Sequence, residues 1–141
     1  MSPADIQRET DYGSVYSSVD VAKAALAQDT HDPKAHRTLA RAYAEQVYKN
    51  PEYTSCPPAQ ITSVSRRLTV PVIAEDRAAL VADPANPVTK MNLAAAYEAS
   101  GEYKDAIYLW EQVTAYPPEA EGAKIALKDC QDRLAQETAG H

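Results

Sequence analysis

The residues best suited to chemistry in this chain are three histidines, two cysteines and an adjacent pair of carboxylates, and their spacing matches no catalytic or metal motif. His31 and His36 lack the HxxxH or HExxH arrangement that sets two imidazoles on one helical face around zinc, and His141 ends the sequence. Cys56, in TSCPPAQ, has no CxxC partner. Cys56 and Cys130 lack metal-site spacing, although they could form one disulfide. Glycine occurs only at 13, 101, 122 and 140, too scattered for a phosphate-cradling loop. Glu75 and Asp76 remain as acid–base candidates, suited to a small hydrolase or transferase subunit. Such chemistry needs a deep pocket holding paired carboxylates with perturbed titration. No motif accompanies them, so the sequence predicts no catalytic residue, no metal, no cofactor and no enzymatic activity.

Binding is the better-supported use of the polar residues. Arg37 and Arg41 lie four apart and share a helical face. Such a pair can hold a carboxylate by paired hydrogen bonds, and it is equally the pattern of a solvated surface. The formal charge of −6 weakens non-specific attraction to nucleic acid, and Arg66-Arg67 is the only adjacent basic pair, so no nucleic-acid partner is expected. No run of 18 apolar residues exists, so direct membrane insertion is not expected either. The opening MSPADIQRETDYGS has no apolar stretch like that of a signal peptide. This favours the cytoplasm, and leaves the periplasm open if a leader has been removed.

Helices must position these residues. A globule of this size buries roughly 68% of the surface its unfolded chain exposes, enough to fold alone. Alanine is abundant, phenylalanine is absent and tyrosine numbers nine. That mix suits closely packed helices in which tyrosine and Trp110 supply the aromatic packing. Val15, Val19, Ala22, Ala25 and Leu26 recur at helical spacing, as do Ala35, Leu39, Ala42, Tyr43 and Val47. A short helix is possible near Asp5–Thr10. Asn50-Pro51 ends the second helix, and PEYTSCPPAQ reads as turns without a regular helix. Ile61, Val64 and Leu68 align on a short helix, which Val70-Pro71 interrupts. Ile73, Arg77, Leu80 and Val81 then mark one side of a further helix. Helices over 87–100 and 103–116 follow, separated by Gly101, which can take the left-handed conformation. The last helix, 119–137, carries Ala123, Ala126, Leu127, Cys130 and Leu134 on its inner stripe.

The helices repeat. Leu39, Ala42 and Tyr43 recur as Leu93, Ala96 and Tyr97, an offset of 54. Gly13, Ala22, Ala25 and Leu26 align with Gly101, Trp110, Val113 and Thr114, an offset of 88. A period of 34 with one insertion of about 20 residues accounts for both offsets, and two antiparallel helices in 34 residues is the tetratricopeptide period. The block NLAAAYEASGEYKDAIYLWEQVTAYPP closely resembles that family. Leu93 and Tyr97 stand at the large positions of the first helix, matched by Leu39 and Tyr43 one unit earlier. Gly101 and Tyr103 match the turn, Ala106 the small residue where the helices cross, Trp110 the aromatic position and Pro118 the terminating proline.

The resemblance implies an all-α fold, a right-handed stack of antiparallel helix pairs forming an α-solenoid of about two and a half repeats. Residues 1–141 would form a single domain, with 49–71 as an irregular inserted lobe and 119–137 as a C-terminal capping helix. It further implies a protein or peptide partner on the concave face, lined by the first helix of each pair. Those positions are Lys34, Arg37 and Arg41, then Val88, Met91, Ala95 and Glu98, then Ile125 and Asp129, running from basic through apolar to acidic. Asn92 and Arg37 resemble two members of the set with which some family members grip a terminal carboxylate, and the other positions do not match it. Val88 and Met91 are expected as an exposed apolar patch that takes an external partner, a second copy in a homo-oligomer or the lobe itself, with simple core packing as the remaining reading.

Overall fold

The computed structural model describes residues 15–140. The short helix expected near Asp5–Thr10, Gly13 of the repeat and His141 lie outside them. Among the described residues every regular element is helical: α1 (Val15–Gln28), α2 (Pro33–Lys49), the one-turn α3 (Pro51–Thr54), a 3-10 turn (Pro58–Gln60), α4 (Ile61–Leu68), α5 (Val70–Ala82), α6 (Pro87–Ala99), α7 (Tyr103–Val113) and α8 (Ala120–Ala139).

Three helices begin by one local device. Asp32, Asn50 and Asn86 each precede a proline, and each side-chain oxygen accepts the backbone N–H two residues on, at 3.0, 2.9 and 2.9 Å. Proline sits at the first helical position, where its missing N–H deprives the helix of nothing. The cap at Asn50 explains why PEYT forms a helical turn where the sequence predicts only irregular chain. Between α6 and α7, Gly101 adopts φ 80°. The Glu102 N–H then donates back to the Tyr97 carbonyl at 2.8 Å, closing the helix end.

Packing follows chain order. α1 packs on α2, α2 on α5, α5 on α6, α6 on α7 and α7 on α8. The core is correspondingly linear. Ala22, Ala35 and Leu39 form a first cluster, and Ala40, Val47, Val72 and Ala96 a second. Leu93, Ala94, Ala106, Leu109, Trp110, Val113, Ala123 and Cys130 form a third. Tyr43 packs against both the first and second, and Ile73 against both the second and third. Repeating pairwise contacts around a chain of small cores describe a coarse α-solenoid. Alanine at so many contacts lets the helix axes approach closely.

One expectation is corrected. On α5 the buried residues are Val72, Asp76 and Ala79, whereas Arg77 is exposed and Val81 is 78% exposed. The helix lies between α2 and α6, so its inner surface faces two neighbours and the single-stripe reading is rotated. The segment 49–71 carries the short helix expected there, α4, and it packs against the rest of the fold. Leu68 and Tyr53 pack on the second cluster. Ser65 Oγ donates to the Ala99 carbonyl at 2.5 Å, and Arg66 Nε donates to the Ser100 carbonyl at 3.0 Å. A helix leaves its last carbonyls without partners in its own turn, and here the inserted segment supplies donors to α6.

Candidate functional site

The helices α2, α5 and α6 enclose a groove of about 670 Å³. Small residues account for the space: Ala40 and Ala44 on α2 and Ala95, Ala96 and Ala99 on α6 keep the walls apart without filling the gap. Thr69 at the N-cap of α5 and Val72 and Asp76 within the helix, spaced three and four apart, form the floor. Tyr53, Ile61, Thr62 and Ser65 of the inserted segment close one end. Tyr48 and Tyr53 meet edge to face there, 5.6 Å between ring centroids.

Six of the nine expected concave residues line this groove: Lys34, Arg37, Arg41, Val88, Ala95 and Glu98. Lys34 and Arg41 are exposed, and Val88 is 48% exposed. Arg37 is half-buried and its guanidinium donates to Thr89 Oγ1 at 3.3 Å, a link between α2 and α6 across the groove. The other three positions are elsewhere. Met91 packs against the third core cluster, so it belongs to the interior. Ile125 is exposed away from the groove, and Asp129 pairs with Arg133 Nε at 3.0 Å. The single stripe Val88–Met91 splits because residues three apart on a helix are offset by about 60°, and α6 is flanked on two sides.

Glu98 is held from the core side. Trp110 Nε1 donates to it at 2.5 Å. Burial, then Glu98, pushes the Cys130 thiol up to about 12. Both cysteines are free. His36 accepts no metal role: Nδ1 faces Glu75 Oε2 at 2.7 Å and Nε2 faces the Thr30 carbonyl at 2.9 Å. Both partners are acceptors, so both nitrogens donate and the ring is an imidazolium. Burial alone would lower its pKa, but Glu75 and Thr30 outweigh it and the net shift is upward.

Asp76 is the unusual member of the floor. It is 2% exposed, and its Oδ1 has no hydrogen-bond partner. Desolvation, with the like charge of Glu75, raises it from 3.8 to about 7. The pocket with perturbed titration that an acid–base mechanism would need is therefore present. The pair of carboxylates is not: adjacent helical residues point about 100° apart, and Glu75 leaves the groove to bind His36. Among the described residues no three His, Cys, Asp or Glu side chains are grouped to hold a metal ion, and no helix is long and apolar enough to cross a membrane.

No protein-family model matches the chain, and no curated protein matches it either.

Sequence reasoning missed the floor and the closed end of the groove. Val72 and Asp76 come from α5 and Thr69 from its N-cap, and a threonine and an aspartate beside one valine give no apolar stripe to read. Tyr53 and Ser65 come from the insertion, where the periodic signal is confined to Ile61, Val64 and Leu68 and includes neither residue.

Proposed function

We propose that this chain is a tetratricopeptide-type interaction module that binds a segment of a partner protein in the groove between α2 and α6 and performs no chemistry of its own. The observation that carries the reading is the convergence on one cavity of six residues chosen by the repeat. Three further features support the family assignment. The capped starts Asp32-Pro33 and Asn86-Pro87 share the 54-residue offset. Gly101 takes the left-handed turn, and Ala106 is fully buried. The groove's mixture of small apolar walls with a few polar groups is the composition of a recognition site.

The test uses Ala95→Trp, which fills the groove from an exposed wall position without touching the core. A random library of peptides, capped at both ends, is panned against the full chain and against this variant. Peptides retained by the parent and weakened about tenfold or more by the variant are expected. No retained peptide, or equal binding to both proteins, overturns the reading.

A further inference from the structure

Asp76 presents a buried carboxylate with an unused acceptor on the floor of an otherwise small-walled groove. An ionised carboxylate out of water without a partner is destabilising, and such a group in a native fold calls for an explanation. Among the described residues no hydrogen-bond donor supplies one. Arg37, on the facing helix, directs its guanidinium to Thr89, and the charge that bears on Asp76 is that of Glu75, of the same sign. The aspartate's terminal torsion is soft and roughly two-fold, so either oxygen can turn toward the groove.

The walls define what could reach it. Ala40, Val72 and Ala96 are apolar and suit a hydrocarbon stem, and they line the same groove as the acceptor. A lysine or arginine side chain has this form, an aliphatic stem ending in a cationic donor. A cation also restores what a neutral donor does not, the charge balance of the buried carboxylate, and charge-assisted hydrogen bonds are the strong ones. The groove's own charges limit the rest of the ligand. The lining carries four cationic side chains, Lys34, Arg37, Arg41 and Arg133, the last paired with Asp129, and two carboxylates, Asp76 and Glu98, a balance that disfavours a strongly basic segment.

We propose that the groove selects a peptide segment carrying one basic side chain among neutral or acidic residues, and that Asp76 is the acceptor which receives that side chain. This inference rests on the groove being the binding site, and it specifies the chemistry of the occupant.

The experiment uses the peptides retained by the full chain in the capped library, so that charge resides on side chains alone. A single lysine or arginine at one fixed position is expected, with acidic or neutral neighbours. Replacing it by norleucine should weaken binding to the parent about tenfold or more, the range for a hydrogen bond to a charged group. Against Asp76→Asn the same replacement should change the affinity less than twofold. Retained peptides without a basic residue, or an Asp76→Asn protein that keeps the full preference for it, overturn this inference while leaving the groove as the binding site. Peptides that bind Ala95→Trp as well as the parent overturn both. Should Asp76→Asn fail to fold, the norleucine exchange against the parent decides alone: an unchanged affinity overturns the proposal.

Discussion

Asp76 also sets how stability responds to pH. Its native pKa is raised from 3.8 to about 7, so between those values the folded state holds a proton that the unfolded state has released. The stabilisation is therefore complete below about 3.8 and lost as the pH rises through about 7. His36 acts in the same sense, because its pKa is raised above 6.5 and its contribution is lost as pH rises through the folded value. The melting temperature should accordingly be higher at pH 6 than at pH 8. Asp76→Asn removes the buried charge and should raise stability at pH 8 by about 1 kcal/mol or more, seen as a melting temperature roughly 3 °C higher. A lower melting temperature would mean that the carboxylate has a partner in the folded protein. The cysteines give a second residue-scale prediction. Cys130 is fully buried with its thiol pushed up to about 12, while Cys56 is partly exposed. Alkylation at pH 8 should modify one thiol in the native protein and two after denaturation. Two fast thiols, or none, would contradict this arrangement.

Among the elements, α7 and the inserted segment bear the most testable packing. Trp110 is 7% exposed in the third cluster beside Leu93, with Tyr97 and Leu127 packed against that cluster. Trp110→Ala should destabilise the protein by about 3–5 kcal/mol in a denaturant titration, since it opens a large cavity and leaves Glu98 without its indole donor. The sequence showed this contact because the residues involved recur at 3.6-residue spacing within one unit. It did not show the role of 49–71. Four prolines and few periodic apolar residues make that segment read as loose chain. Its anchorage depends instead on Ser65 and Arg66 meeting the open end of a helix 34 residues later in the sequence, and no local pattern encodes such a contact. Gly101 shows the same join from the other side. A Cβ there would lie 3.2 Å from both Thr62 and Arg66, in a backbone conformation that side chains avoid. Gly101→Ala should therefore cost about 1–2 kcal/mol. Ser65→Ala, which strands the Ala99 carbonyl, should cost about 1 kcal/mol by the same measurement.

At the scale of the molecule, the exposed large apolar side chains among the described residues are dispersed. Val70 and Val81 lie on α5, Tyr108 on α7 and Ile125 on α8, and only Tyr48 and Val88 belong to the groove. Single exposed apolar residues are ordinary and do not by themselves make an interface. Light scattering across a concentration series should therefore give a mass near 15.3 kDa throughout. A mass rising toward twice that value would favour a self-assembling subunit. The overall architecture was legible because a solenoid writes its period into the sequence: Leu39 and Tyr43 announce Leu93 and Tyr97. The groove was legible only along its rims. Its floor uses α5, where burial on two sides erases the amphipathic stripe, and a lone buried carboxylate such as Asp76 has no sequence signature at all.

The two residues that bridge neighbouring cores, Tyr43 and Ile73, carry a consequence for how the protein comes apart. Each cluster is small, and its coupling to the next runs through one shared side chain together with the helix that carries it. Cooperativity in such an array is a property of the links, not of the clusters. Hydrogen exchange should then resolve the protein into steps. The amides of α7 and α8, around the largest cluster, should outlast those of α1, whose cluster contains three buried residues among those described. Truncating Ile73 to alanine should widen the gap between the two exchange rates, because it severs communication more than it removes mass, and the N-terminal half would open on its own while the C-terminal half stays shut.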